Sequence, residues 1–176
     1  MTALALPFTT PAKPQFDIGP VARTAVGLAC FTMCFFVTVA LGRAALGMVE
    51  NLHHYAKLPV IIHVSTVLPA IPLGGYLLLA KKGTTLHKRL GKVWLLLMLA
   101  TATSAIFIQS SGGFSFIHAF VPITFHAAWK TVATARRGDI AGHKKHLVFT
   151  YLAALMIPGI AAFALPGRLM NVMLLG

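Results

Sequence analysis

Histidines are the residues of this sequence whose type and spacing are best suited to chemistry. The chain holds eight of them in 176 residues, although only 10% of its residues are charged. An ionisable side chain inside an apolar stretch is costly, so each such residue is a candidate for function. Neutral imidazole carries one N–H group and one lone pair, so it can bind a metal, pass a proton or hydrogen-bond a ligand. Six histidines lie within or beside apolar stretches: His63, His87, His118, His126, His143 and His146.

The first pair, His63 and His118, occurs at matching depths in two apolar segments. Counted from the same end, both lie roughly 6 to 8 Å inside the segment at 1.5 Å per residue. Two imidazoles at equal depth on facing helices can hold a porphyrin through its iron. We therefore predict haem b between them, with Ala70 and Gly74 providing a small-residue face for the macrocycle. The alternative is that both are structural histidines, each hydrogen-bonded to a carbonyl in a kinked bundle.

A second set, His87, His143 and His146, shares a depth at the opposite end. His87 can pair with either of the other two around a second haem. The alternative is that all three bind lipid phosphates or extend toward the membrane surface among lysines. A structural metal site without haem is disfavoured because Cys, Asp and Glu ligands are lacking nearby. The helices that carry this set are predicted to start at Thr84 or Thr85 and at Asp139 or Gly142.

His126 belongs to neither set. It falls in the middle of an apolar segment, three residues before Trp129. Three roles stay open for it: it can line a quinone site, take part in a proton path, or hydrogen-bond a backbone carbonyl.

The remainder of the sequence indicates whether the protein around these histidines is soluble or lies in a membrane. The chain is 57% hydrophobic with a mean hydropathy of +0.81, which leaves too little polar surface to cover a soluble globule. Its net charge of +12 comes from basic residues that lie between apolar runs. Nucleic-acid-binding proteins carry such residues on a polar face, so nucleic-acid binding is excluded. Hydrolytic catalysis is poorly supported, since only three acidic residues occur, and two of them, Asp17 and Glu50, have no obvious orienting partner.

Five apolar segments are long enough to span a membrane, which favours helices because each satisfies its own backbone hydrogen bonds. The predicted fold class is an all-α integral membrane bundle of five transmembrane helices. Helices two to five form the core, and helix one, which offers no ligand, packs outside it. Residues 1–20 are predicted to form an extended cytoplasmic tail, and residues 21–176 a single domain. The segments are 21–41, 58–80, 92–108, 114–133 and 146–165, with kinks predicted at Pro69, Pro72, Pro122 and Pro158.

Orientation follows from lysine and arginine. With the tail inside, twelve of these residues lie on the inner side and three on the outer side. Cytoplasmic loops carry such an excess, so we predict a cytoplasmic N-terminus and a periplasmic C-terminus in a bacterial inner membrane. The stretch RRGDIAGHKKH, residues 136–146, is one of the inner anchors.

Two resemblances add to this interpretation. The placement of histidines on helices two and four at one end, and three and five at the other, resembles the di-haem transmembrane b-type cytochromes related to ascorbate-reducible cytochromes and ferric reductases. Here, however, His87 and His143 lie at the membrane edge rather than one or two turns inside. Separately, HKRLGKVW and RRGDIAGHKKH resemble the motif pair of a bacterial domain-of-unknown-function family of predicted multi-span membrane proteins, over roughly residues 58–165.

Together these observations predict a membrane-embedded, b-type cytochrome-like electron-transfer protein or the anchor of a redox complex. One or two haem b groups, and a quinone, are its expected cofactors. The alternatives are a non-catalytic accessory subunit of a larger respiratory or photosynthetic complex, and a protein that binds lipid or metal. Membrane lipids and other membrane subunits are the expected partners.

Overall fold

The part of the chain that the structure describes folds into helices and their connections. The computed structural model describes residues 18–50, 52–109, 113 and 115–176, and no strand occurs among them. The all-α prediction is therefore confirmed, while the predicted tail, apart from residues 18–20, and Phe114 lie outside the described residues. The α-helices of the described part are α1 (Pro20–Ala45), α2 (Leu58–Leu79), α3 (Thr85–Ile106), α4 (Phe120–Arg136), α5 (Ile140–Phe149), α6 (Ile157–Ala164) and α7 (Leu169–Leu175). Two 3₁₀ turns, Leu52–Tyr55 and Phe116–Ala119, and a π-helical segment, Thr150–Met156, complete them.

Four helical stretches of the described chain are long and apolar enough to cross a membrane. They are α1, α2, α3 and the continuous helix Ile140–Ala164, which contains α5, the π segment and α6. The fourth predicted segment corresponds to α4, whose 17 residues fall short of the roughly 20 that span the hydrocarbon core. The 3₁₀ turn Phe116–Ala119 leads directly into α4 and extends its helical length.

Helix starts follow from local side chains. The hydroxyl of Thr84 accepts a hydrogen bond from the His87 N–H at 3.0 Å, which caps α3. The carboxylate of Asp139 accepts one from the Gly142 N–H at 2.8 Å, which caps α5. Both bonds satisfy N–H groups that have no partner within their own helix. The predicted helix starts are thus confirmed, with Thr84 and Asp139 as the capping residues.

The helices pack in sequence order around a common interior. The main contacts join α2 to α3, α3 to α4, and α4 to α5 and the π segment, which also contacts α2. This arrangement places α2 and α4 on a diagonal. The main contacts of α1 are with α2, α7 and the π segment, so α1 lies at the side of the bundle.

Two buried aromatic rings fasten α3 and the π segment to α2. The Trp94 indole N–H donates to the Ala70 carbonyl at 2.9 Å, and the Tyr151 hydroxyl donates to the Ile71 carbonyl at 3.1 Å. Both rings pack against Gly74, where an added Cβ would lie 2.6 Å from each of them. The face of Ala70 and Gly74 that was predicted to receive a macrocycle is therefore filled by protein side chains.

The prolines at the four predicted kink sites occupy different positions in these helices. Pro69 and Pro72 lie inside α2, as predicted. Pro122 is the third residue of α4, where a missing N–H costs no hydrogen bond within α4. Pro158 is the second residue of α6, just after the π segment, where a proline fits because the first N–H groups of a helix need no partner within it.

Candidate functional site

A cavity of about 650 Å³ lies between the helices at one end of the bundle. We call it the outer cavity, since this end is the periplasmic one in the predicted topology. It is bounded by residues of α1, α2, α3, α4, the π segment and α6, and most of them are apolar. Its size falls within the range of sites for small organic ligands. The polar side chains in its wall include His54, Tyr55, Lys57, His63, Thr101, Gln109, His118, Thr124 and Arg168.

His63 is held in one orientation within this wall. Its Nδ1 atom lies 3.0 Å from the Thr101 carbonyl oxygen and 3.2 Å from the Ser104 hydroxyl. A carbonyl oxygen can only accept, so Nδ1 carries the proton and Nε2 keeps a lone pair. Among the described residues, no hydrogen bond engages Nε2. The arrangement is the one by which a carbonyl orients an imidazole that accepts a hydrogen bond or binds a metal.

His118 has the opposite arrangement. It belongs to the 3₁₀ turn before α4, and its Nδ1 accepts a hydrogen bond from the Ser115 N–H at 3.0 Å. A backbone N–H can only donate, so the neutral ring carries its proton on Nε2. Nδ1 also lies 3.2 Å from the Ser115 carbonyl oxygen, a contact that would call for a proton on Nδ1. The contact with the Ser115 N–H is shorter, so it favours the proton on Nε2. The Nε2 atom itself is buried.

These two histidines allow a direct test of the haem prediction. Ligation by two imidazoles needs a lone pair from each ring directed at one iron. His63 meets this requirement. His118 does not in this conformation, because its Nδ1 is occupied as an acceptor and its Nε2 is buried and protonated. The cavity therefore brings the predicted pair into one wall, but it fits a hydrogen-bonded ligand better than a bis-imidazole haem.

The wall of the outer cavity includes cationic side chains. Lys57 and Arg168 line it together with His54, and no carboxylate occurs among its described lining residues. Tyr55 donates its hydroxyl to the Gly167 carbonyl at 3.2 Å, which ties the Leu52–Tyr55 turn to the segment that follows α6. Positive charge in the wall of an apolar cavity favours a ligand that carries electron-rich oxygen atoms.

Sequence reasoning missed the outer loop that supplies part of this wall. His53 and His54 lie side by side in the Leu52–Tyr55 turn, with their ring centroids 4.0 Å apart. Both are exposed, and His54 contributes to the cavity wall. Their proximity to the start of α2, and so to the depth of His63, was a signal available in the sequence.

At the inner end, the structure brings together two of the three predicted histidines. His87 lies within electrostatic range of His143 and of Lys82. The Nδ1 atom of His143 donates to the Thr131 carbonyl at 3.0 Å, which orients this ring against α4. For His146 the described contact is made by its backbone carbonyl, which accepts from the Thr150 hydroxyl at 2.7 Å. None of the inner histidines lines the outer cavity or the cavity of about 280 Å³ beside α1, α2 and α7.

His126 points away from the bundle. Its side chain is exposed, and its ring meets the Trp129 ring edge-on at 5.8 Å between centroids. The Lys130 ammonium group lies over the same Trp129 ring, 5.0 Å from its centroid. His126 lines neither cavity, and no described hydrogen bond joins it to a carbonyl.

Neither a metal-binding group nor a match to a known protein indicates the function of this chain. Within the described residues, no group of three or more His, Cys, Asp or Glu side chains is placed to hold a metal ion. Comparison with family models, with curated proteins and with solved structures gives no match to this chain. Evidence for function therefore comes from the geometry of the outer cavity.

Proposed function

We propose that this chain is a membrane-embedded subunit of a redox complex and that it binds a quinone in the outer cavity. The observation that carries the proposal is His63, whose Nδ1 is fixed by Thr101 while its Nε2 remains available in a largely apolar wall. A quinol hydroxyl is a donor that such a nitrogen accepts, and the apolar interior suits a hydrophobic tail.

The residues of the cavity have different roles in binding the ligand. His63 accepts a hydrogen bond from one ligand hydroxyl, and this bond orients the ligand in the cavity. Lys57 and Arg168 in the cavity wall stabilise negative charge that develops on a ligand oxygen. The Ser104 hydroxyl, 3.2 Å from the His63 Nδ1, supports the orientation of the ring.

The proposal includes five membrane spans, with a cytoplasmic N-terminus, in a bacterial inner membrane. Support comes from α4, which reaches from the outer cavity, lined by His118, to the inner end, where Thr131 meets His143. With its preceding 3₁₀ turn, α4 forms a helical stretch from Phe116 to Arg136. This stretch is long enough for the roughly 20 residues that a span needs, and the excess of inner lysine and arginine fits the same topology.

Quinone binding is tested on the purified full-length protein in lipid nanodiscs, titrated calorimetrically with a short-chain ubiquinone and with its quinol. His63→Ala removes one hydrogen bond, worth about 1 kcal/mol, so quinol affinity should fall about fivefold. His126→Ala is the matched control, because it removes a histidine outside the cavity and should leave the affinity unchanged. An unaltered affinity in His63→Ala, or no binding by the unmodified protein, contradicts the proposal.

A b-type cytochrome is the second candidate, favoured by the orientation of His63. Bound haem would supply one-electron chemistry, with His63 as the ligand that the present geometry supports. The visible spectrum of the reduced nanodisc sample separates the candidates. Visible bands of a b-type haem that disappear in His63→Ala would favour the cytochrome. A colourless protein that binds no quinone would instead favour a non-catalytic accessory subunit.

A further inference from the structure

A second, smaller cavity lies beside the outer cavity and shares part of its wall. It has a volume of about 280 Å³ and lies beside α1, α2 and α7, and we call it the side groove. No charged side chain occurs among its described lining residues, whereas the wall of the outer cavity includes Lys57 and Arg168. The residues that line both spaces are Tyr55, Val60, Val64, Leu169 and Met170. A cavity with polar and charged groups is therefore continuous with an uncharged one.

Helix α2 shows how the two spaces are divided. Val60 and Val64 lie one helical turn apart and line both of them. On one side of these valines, His63 lines only the outer cavity. On the other side, Ile61 and Ser65 line only the side groove. At α2, only the two valine side chains stand between the ligand site and the groove.

The side groove opens on the face of the bundle that α1 and α2 form. Leu41 and Ile61 line the groove, and their side chains are 40% and 51% exposed, respectively. On α1, Leu41 continues at four-residue spacing the stripe of Met33 and Val37, which line the outer cavity. Both helices are long and apolar enough to cross a membrane. Where they span it, the groove connects the outer cavity with the hydrocarbon of the bilayer.

We infer that the ligand of the outer cavity carries a long hydrocarbon tail, which runs from the cavity through the side groove into the bilayer. The inference rests on the proposed quinone site, and it adds the chemical class of the ligand and its direction of entry. The ring needs the polar groups around His63, whereas a tail gains only from apolar contacts. Met170, which lines both spaces, has an unbranched side chain with three rotatable bonds, so it can turn aside as the tail passes.

The inference is tested by calorimetry on the full-length protein in lipid nanodiscs, with two quinols that share one dimethoxy-methyl ring. One quinol has no side chain, and the other has a decyl chain. Ser65→Phe puts an aromatic ring into the side groove at a residue that does not line the outer cavity. It should weaken binding of the decyl quinol about fivefold or more, the lower end of the cost of overpacking an apolar site. Binding of the quinol without a chain should not change.

Two control variants separate the groove from other effects. Ser65→Ala removes the same hydroxyl without filling the groove. Ile62→Phe adds the same ring to α2 at a residue that lines neither space. Both variants should bind the two quinols as the unmodified protein does. Partition of the decyl quinol into lipid is common to all samples, so it cancels when variants are compared.

Photolabelling locates the tail directly and does not depend on the folding of Ser65→Phe. A decyl quinol with a diazirine at the end of its chain should label the peptides that contain Leu41, Ile61 or Ser65, as identified by mass spectrometry. Labelling of α3 or α4 instead would overturn the inference. Equal labelling of the groove by a phosphatidylcholine with the same diazirine would assign the groove to lipid and also overturn it.

The calorimetric outcomes distinguish this inference from the proposed function. The inference alone is overturned if folded Ser65→Phe binds the decyl quinol normally, if it loses both quinols equally, or if Ile62→Phe causes the same loss. If the unmodified protein binds neither quinol, the proposed function fails and the inference fails with it.

Discussion

Gly74 is a position at which one added methyl group should lower the stability of the fold strongly. In Gly74→Ala, the new Cβ would lie 2.6 Å from the Trp94 Nε1 atom and 2.6 Å from the Tyr151 ring. Neither ring can retreat easily, because the two are 1% and 0% exposed, respectively. Each also donates a hydrogen bond to α2, through Ala70 and Ile71.

The expected cost combines two effects. Overpacking a buried site costs about 1 to 3 kcal/mol, and a displaced buried hydrogen bond adds about 1 to 2 kcal/mol. We therefore expect Gly74→Ala to lower the free energy of unfolding by about 2 to 5 kcal/mol. In a chain of this size, this corresponds to a fall in Tm of about 5 to 15 °C.

The assay heats the protein, as a fluorescent-protein fusion in detergent, and measures what remains in the monodisperse gel-filtration peak. Gly91→Ala is the matched control, since an added Cβ at Gly91 of α3 meets no atom within 4 Å. Alanine there should be neutral or stabilising by up to about 1 kcal/mol. Adding Trp94→Phe to Gly74→Ala should restore part of the loss, because the smaller ring gives the methyl group room. Equal Tm values for the two alanine variants would refute the packing argument.

Two further outcomes concern the helix starts and the topology. Asp139→Ala removes the cap of α5 and should cost about 1 kcal/mol in the same assay, whereas Asp139→Asn keeps an acceptor oxygen and should cost less; equal losses would mean that the cap bond is unimportant. Reporters fused at Gly83 and at Gly138 should both signal the cytoplasmic side, and an outside signal from either would contradict the five-span topology.

Features set by neighbouring residues could be predicted from the sequence. The caps at Thr84 and Asp139 follow from a side chain and an N–H group three residues apart, so they depend on little else in the chain. The all-helical fold follows from long apolar runs in the same way. The depth of His63 was also readable, because depth depends only on distance along one helix.

Features that depend on distant residues were missed. Gly74 is small, but the sequence does not say that Trp94 and Tyr151, from two other helices, fill the space beside it. A small residue is expected beside a large ligand and beside a large side chain alike, so its presence in the sequence does not distinguish the two. The haem prediction could not separate these cases.

His118, in the 3₁₀ turn before α4, and His126, in α4, illustrate two signals that were present but not used. Ser115 and His118 form a capping box, which fixes the ring by a local bond and sets its protonation. The spacing of Thr124, Ala127 and Thr131 identifies the packed side of α4, and it places His126 on the other side. Reading depth together with direction around the helix would have distinguished the two histidines.

The π segment Thr150–Met156 has a consequence for how this helix can change in length. A π turn accommodates one residue more than an α-helix would, so α6 keeps the direction that it would have without that residue. Deleting one residue within the segment would relax it to an ordinary α-helix and leave both flanking helices in phase. The same deletion in α5 would rotate everything after it by about 100° relative to what precedes it, one residue's share of a 3.6-residue turn. The helix Ile140–Ala164 can thus lose one residue within the π segment, but not within α5, while Pro158 and Gly159 keep facing the outer cavity.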